Sequence, residues 1–385
     1  GRPMDRVKIG LVGSGFAAAL HMEAYKQVYG IEPWVAAVAS PSERAGDFAR
    51  EYGIPSVYRC MEEMIRKERP DVVDICSPPS LHAPMIGSAM GAGCHVICEK
   101  PLTGWFGDSA EPDMAKKVME QLEQLRRVVE RSGRKFFYAE NFIYAPAVQK
   151  SASLIRAAGE HILFMRGEES HSGSHAGHAA LWSMNGGGSL IRQGCHPLSA
   201  LLYLKQLENG KGAKAVGVTA DMGYIVPTLN EEERKNIQAR PKDVEDLANV
   251  ILTFEDGTKA LITAGDMILG GVRNEIQVYT TGGVYQCRIA PSDQMTTYHV
   301  EDEKLSGQYF TEKVETKKGW QSIFLCEDMA RGYVGELRDF LLCAAGRKGE
   351  PESGFSLAYD TVRIIYGAYC SAREGRRIEL SRSEE

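Results

Sequence analysis

The chain has 385 residues, 51 acidic and 45 basic side chains and a formal net charge of -6. Hydrophobic residues make up 43% and charged residues 25%, the balance of an ordinary globular protein. No stretch approaches the ~18 uninterrupted apolar residues of a membrane span, and the mild acidity argues against nucleic acid as the main partner. At ~100–200 residues per domain the length suggests two domains. The nine cysteines form no CxxC pair, and several sit in apolar runs, so a reducing cytoplasm fits better than secretion. The opening GRPMDRVKIG has no apolar secretory region, and residues 1–3 read as an addition before Met4.

In chain order, VKIGLV (7–12) reads as a buried strand, followed by a glycine turn and an Ala-rich helix. WVAAVAS (34–40) is a second strand and 41–52 a helix. VVDICS (72–77) and HVIC (95–98) are further strands around a helix at 84–92. A helix at 114–132 and a strand at 135–140 complete the series. Strands apolar on both faces, alternating with helices, predict an α/β, doubly wound parallel sheet, expected over residues 1–140.

Beyond that point the pattern changes. Segments 162–169, 214–226, 245–255, 258–266, 274–281 and 283–290 alternate or carry β-formers, with hairpin turns at 255–257 and 281–283. They predict an α+β domain over 141–385 with a large, open, mostly antiparallel sheet. A helix at 196–206 covers one face, and 230–242 reads as a solvated excursion. Late helices at 329–345 and 356–373 end near Gly346 and Gly375, with the second expected to pack back towards the first domain.

The strongest local signal is Gly13-Ser14-Gly15-Phe16-Ala17-Ala18, between the first strand and its helix. Gly13 permits the tight turn, Gly15 lets backbone approach a pyrophosphate, and position 18 must be small for helix–sheet packing. The helix N-terminus, opening at Phe16 and Ala17, offers N–H groups to phosphate. At the end of the second strand, Ser40 stands where an acidic residue would bind the adenosine ribose of NAD, with Arg44 one turn on. NAD is favoured, and NADP is tolerated electrostatically.

Gly13-x-Gly15, His21, Ser77-Pro78-Pro79, His82, Glu99-Lys100-Pro101 and the run from Gly186-Gly187-Gly188 through Arg192 to His196 together resemble the Gfo/Idh/MocA oxidoreductase family. The match extends to the C-terminal AYCSAREGRRIEL and so covers nearly the whole chain. The resemblance implies a Rossmann domain joined to an α+β domain, and NAD(P)-dependent chemistry at a sugar or cyclitol carbon. It implies that Ser77, Pro78, His82, Glu99 and Lys100 lie beside the cofactor. By the same resemblance Lys100 stabilises alkoxide character as hydride leaves, and His196 is the general acid/base. Homo-oligomer formation through the open sheet is also implied.

One departure from the family pattern is Arg192, which stands where many relatives carry aspartate. It is read either as a substrate contact or as one half of a structural ion pair. Asn141 and Tyr144, in AENFIYAP, match a family segment beside the nicotinamide. The loop from Glu168 to His178 carries His171, His175 and His178, with Trp182 following. Its histidines and Trp182 suit sugar recognition, with a mobile loop as the plain alternative. Three histidines and two carboxylates also suit a metal, but no regular element fixes their geometry and none is assigned. Trp105 and Phe106, in the extra 103–112 segment, are either a lid or a subunit contact.

These residues point to a cytoplasmic enzyme oxidising a secondary hydroxyl of a sugar, glycoside or cyclitol. Oxidation at C3 of a glycosyl ring is one form of this. A glycosidase that keeps NAD tightly bound, and a non-catalytic dinucleotide-binding regulator, are the alternatives.

Overall fold

The computed structural model describes residues 2–208, 213–290 and 295–380; Gly1, read above as part of an added segment, lies outside them. The first elements are β1 (Arg6–Val12), α1 (Phe16–Tyr25), β2 (Glu32–Ala39), α2 (Ala45–Tyr52), β3 (Ser56–Tyr58) and α3 (Met61–Glu68). They continue with β4 (Val72–Ile75), α4 (His82–Gly91), β5 (His95–Glu99), α5 (Met114–Ser132) and β6 (Phe136–Ala139). The six strands form one sheet in the order β3-β2-β1-β4-β5-β6, every pair parallel. Val7, Ile9, Leu11, Val73, Val96 and Phe137 are fully buried, as strands covered on both faces require. The order reverses between β1 and β4, where ligands of such sheets bind beyond the strand ends.

The second series is α6 (Pro146–Ala158), β7 (Ile162–Ser170), α7 (Trp182–Asn185), α8 (Cys195–Lys205), β8 (Ala215–Gly223), β9 (Leu247–Phe254), β10 (Lys259–Gly265), β11 (Arg273–Thr280) and β12 (Val284–Ala290). It closes with β13 (Met295–His299), β14 (Gly319–Ile323), α9 (Glu327–Ala330), α10 (Tyr333–Ala344), α11 (Phe355–Glu374) and β15 (Ile378–Glu379). A seven-stranded sheet runs β12-β11-β7-β10-β9-β8-β15. Only its β7–β10 pair is parallel. Helix α8, buried along its length, lies on β7, and Gly167 makes the approach possible: a Cβ there would sit 2.8 Å from Pro197 Cβ.

The predicted strands and most helices are present within a few residues. β3, α3, α6, α7 and the β13–β14 hairpin were not anticipated, whereas the two-residue edge strand β15 falls within the C-terminal AYCSAREGRRIEL match. The expected helix over 329–345 is two pieces, because Gly332 adopts φ +93 between α9 and α10. The excursion 230–242 is solvated only in its first part, since Ala239 is buried and its N–H donates to the Ser172 carbonyl.

The chain divides into two compact units, and not at a single boundary. The first holds the residues up to Gly104, Lys116–Tyr144 and Gly332–Val362; the second holds Trp105–Ala115, Ala145–Arg331 and Arg363–Glu385. A single division near residue 140 therefore leaves out the return of α10 to the first unit, where it packs on α1.

Within the second unit the triple glycine has a steric cause. A Cβ on Gly188 would lie 2.1 Å from the Glu245 carbonyl oxygen, and one on Gly187 (φ +146) 2.1 Å from the Tyr369 hydroxyl. Glu245, fully buried, accepts N–H bonds from Gly188 (2.7 Å) and Leu190 (3.0 Å) and the Tyr369 hydroxyl (2.9 Å). This one carboxyl fixes the turn that leads through a π-helical stretch, Leu190–Gly194, into α8. Burial pushes its pKa up to about 7 against those donors.

Two outcomes follow. Gly188→Ala should cost about 3 kcal/mol or more in a denaturant melt, as overpacking against backbone does. Gly177→Ala, with open space around its Cβ position, should be near neutral. The folded pKa of Glu245 lies above its ordinary value of 4.5, so the folded state holds this proton more tightly. Its contribution is full below that ordinary value and is lost as pH rises through about 7. Between those limits wild-type stability should fall relative to Glu245→Gln by up to roughly 3 kcal/mol, read from paired melts across pH.

Candidate active site

In the first unit, the parallel sheet brings the predicted cofactor residues to one edge, at the carboxyl ends of β1, β2, β4 and β5. Gly13 adopts φ +104, and a Cβ there would meet the Cys76 carbonyl at 2.6 Å. Gly15 caps α1 with open space around its Cβ position. Ala18 is fully buried against the sheet, Ala17 half-buried, and Phe16 exposed at 72%. No side chain caps α1 and no acidic residue lies in its first turn, so its leading N–H groups remain available to an anion. These features fit a dinucleotide pyrophosphate.

Ser40 is buried, its hydroxyl 2.9 Å from that of Ser14 and accepting the Ser42 N–H at 3.2 Å. Arg44 is exposed at the start of α2, and Pro78 is exposed beyond β4. Ser77 is half-buried, its hydroxyl 3.3 Å from Met85 Sδ. His82 is a bridge between loops: its Nδ1 meets the Pro101 carbonyl at 2.6 Å and its Nε2 the Ser77 carbonyl at 3.0 Å. Burial lowers its pKa against those two carbonyls. The expectation that His82 binds cofactor is corrected accordingly, because both ring nitrogens are engaged by backbone and the ring is buried.

Glu99 and Lys100 close β5, both half-buried. Glu99 Oε2 accepts the Lys100 N–H at 3.1 Å, while its Oε1 stands 2.6 Å from His21 Nε2. His21 is fully buried on α1, and its Nδ1 is 2.7 Å from Asp74 Oδ2. Burial works against its charge, yet Asp74 and Cys76 raise its pKa well above the ordinary value. Asp74 and Glu336 belong to this cluster and were not singled out from sequence. An acid inside the apolar VVDIC run was a usable signal for Asp74; nothing local marks Glu336, 262 residues further on.

In the second unit, Arg192 forms an ion pair with Asp266, which is 2% exposed. Gln193 adds amide donations to Asp266 Oδ1 (3.0 Å) and the Gly265 carbonyl (2.9 Å). Of the two readings of Arg192, the ion pair is the one observed. His196 opens α8, largely buried, with its Nε2 3.9 Å from Glu169 Oε2 on β7. The amide of Asn274 is placed to donate to Glu169 Oε1 at 3.2 Å. His175 and His178 are exposed on their loop, while His171 Nδ1 accepts the Gly173 N–H at 2.8 Å.

Two expected substrate contacts prove to be core residues. Trp182 is 2% exposed, stands edge-on to Tyr369 and donates its indole N–H to the Trp105 carbonyl at 3.0 Å, so its ring is not free to stack on a sugar. Tyr144 is 6% exposed in the first unit; its hydroxyl donates to Asp339 and accepts the Ser353 N–H at 3.0 Å. Asn141 is likewise buried. In the 103–112 segment, the Trp105 N–H donates to the Tyr366 hydroxyl at 2.7 Å.

Arg192→Met alone should destabilise the protein by about 3 kcal/mol, because it leaves a buried carboxylate without its partner. Adding Asp266→Asn should recover much of that loss in the same melt.

Two family models match the chain: "Oxidoreductase family, NAD-binding Rossmann fold" over residues 7–131, and the GFO/IDH/MocA C-terminal domain over residues 161–286. The chain is 23% identical to D-apiose dehydrogenase of Paraburkholderia graminis, over 99% of this chain and 92% of that protein. It is 31% identical to D-glucoside 3-dehydrogenase of Escherichia coli over 32% of this chain and 33% of that protein. Among solved structures, GenD2 from gentamicin A biosynthesis, in complex with NAD, superposes with a TM-score of 0.80 at 21% identity, covering 99% and 98% of the two chains. The turn after β1, the Glu99-Lys100-Pro101 strand end and both domain matches lead to one conclusion: the chain belongs to the Gfo/Idh/MocA oxidoreductase family, and its first domain is an NAD-binding Rossmann fold.

Proposed function

We propose that the protein oxidises a secondary hydroxyl of a sugar, glycoside or cyclitol to a ketone, with NAD as hydride acceptor. The observation that carries this reading is the position of Lys100 at the end of β5, on the same sheet edge as the Gly13–Gly15 turn. Gly13, Gly15 and the first turn of α1 would hold the pyrophosphate, and NAD when bound supplies the hydride acceptor. The Lys100 ammonium would hydrogen-bond the substrate oxygen and stabilise the negative charge that grows as hydride departs. His196 would accept the hydroxyl proton, with Glu169 near enough to stabilise the imidazolium that forms. Lack of a carboxylate at Ser40 leaves NADP electrostatically acceptable.

D-apiose dehydrogenase and D-glucoside 3-dehydrogenase act on carbohydrates by name, which supports the substrate class. His175 and His178, exposed on one polar loop, supply adaptable donors and acceptors suited to hydroxyl-rich ligands. Among the described residues, no helix is long and apolar enough to cross a membrane, and all nine cysteines are free, which supports a reducing, cytoplasmic setting. The outer face of the seven-stranded sheet carries the stacked Phe164–Tyr279 pair and the facing residues Ile251 and Leu261 among polar side chains such as Arg166, Lys259 and Gln277, a mixed surface open to a second copy.

The test is NADH formation across sugars, cyclitols and aryl glycosides. Lys100→Ala and His196→Ala should each lower kcat by about 100-fold or more on any substrate the wild type turns over. Full rates in both variants would overturn the assignment. Release of free sugar without net NADH would replace it with the glycosidase reading.

A further inference from the structure

The charge arrangement beneath Lys100 has a direction. Starting from the interior, the Tyr25 hydroxyl donates to Asp74 Oδ2 at 2.8 Å, and that oxygen faces His21 Nδ1 at 2.7 Å. The other ring nitrogen faces Glu99 Oε1 at 2.6 Å, and the second Glu99 oxygen takes the Lys100 N–H. The chain of contacts thus runs from the core to the backbone of the proposed reactive lysine, through a carboxylate whose side chain is 13% exposed. A ring with a carboxylate at each nitrogen is satisfied on both sides only as an imidazolium.

The surroundings support that charge state. Two carboxyl groups already meet the His21 ring, one at each nitrogen. Glu336 of α10 lies 4.0 Å from His21 Nε2, fully buried, with neither carboxyl oxygen hydrogen-bonded. A third carboxylate there would be an uncompensated buried charge, and burial together with Glu99 raises its pKa well above the ordinary value. The remaining titratable groups facing the cluster are Cys76, whose thiol burial pushes up, and the buried Glu140.

Lys100 needs such a frame because its long stem is flexible and its own strand ends there. On its far side, the Pro101 carbonyl is held by His82. On its near side the Glu99 carboxylate accepts the Lys100 N–H. The His21 contact at Oε1 favours the rotamer in which Oε2 caps the Lys100 N–H.

We infer that His21, locked between Asp74 and Glu99, is a positioning residue that fixes the Lys100 backbone through the Glu99 carboxylate. The inference rests on the proposed role of Lys100 in oxidation. It assigns His21 no contact with substrate.

His21→Asn and Glu99→Gln, singly and combined, test it. Each single variant should lower kcat at least 10-fold while the substrate KM and the Kd for NAD stay within threefold. The double variant should be no worse than twofold below the weaker single, because both substitutions cut the same chain. Selective 15N-lysine labelling gives a readout independent of turnover: Lys100 amide hydrogen exchange should speed up at least 10-fold in each variant. If His21→Asn does not fold, Glu99→Gln carries the test, since it keeps the His21–Asp74 pair. Additive losses, kcat within twofold of wild type, or unchanged Lys100 exchange would each overturn the inference. A wild type inactive on every substrate would defeat the proposed oxidation, while the exchange result would still decide the positioning role.

Discussion

The first unit is organised around a histidine ring that the fold has removed from water. Burying an ionised group costs several kcal/mol unless its partners are close and well directed, and His21 answers that cost with a carboxylate at each ring nitrogen. Asp74 comes from β4, His21 from α1 and Glu99 from β5, so satisfying one imidazolium holds a helix and two strand ends in register. The Gly13 turn lies between the same elements, packed against the Cys76 carbonyl. The Gly13 turn and the Lys100 strand end therefore share one electrostatic anchor, and loosening it disturbs both.

The second unit relies on the same physics with the sign reversed. Glu245 is a buried acid satisfied by two backbone N–H groups and a tyrosine, and it shapes the entry into α8. Further along the chain, Asp266 is satisfied by Arg192 and Gln193. Arg192 is thus an internal counterion, and its charge is largely offset before any ligand arrives.

Much of this was legible in the sequence, for physical reasons. A strand apolar on both faces, ending in Gly13-Ser14-Gly15 and running into an Ala-rich helix, has few alternatives to a phosphate-binding turn. Alternation with hairpin glycines likewise identified six strands of the second sheet. Side-chain type alone misled at Trp182 and Tyr144: both carry an apolar body and a polar tip, and in both the tip is spent on the protein itself. The return of α10 to the first unit was illegible because its partners on α1 are some 300 residues away. For the same reason Glu336 could not be placed beside His21, whereas Asp74, an acid in an apolar strand, announced a buried partner.

The claim on which the rest turns is that His21 is an imidazolium in the folded protein. Nitrogen NMR of 15N-histidine-labelled protein, with His21→Asn identifying the resonance, measures this directly. The account predicts both ring nitrogens of His21 protonated at pH 7, without a titration step near its ordinary value of 6.5. A neutral tautomer at pH 7, or titration near that ordinary value, would contradict it.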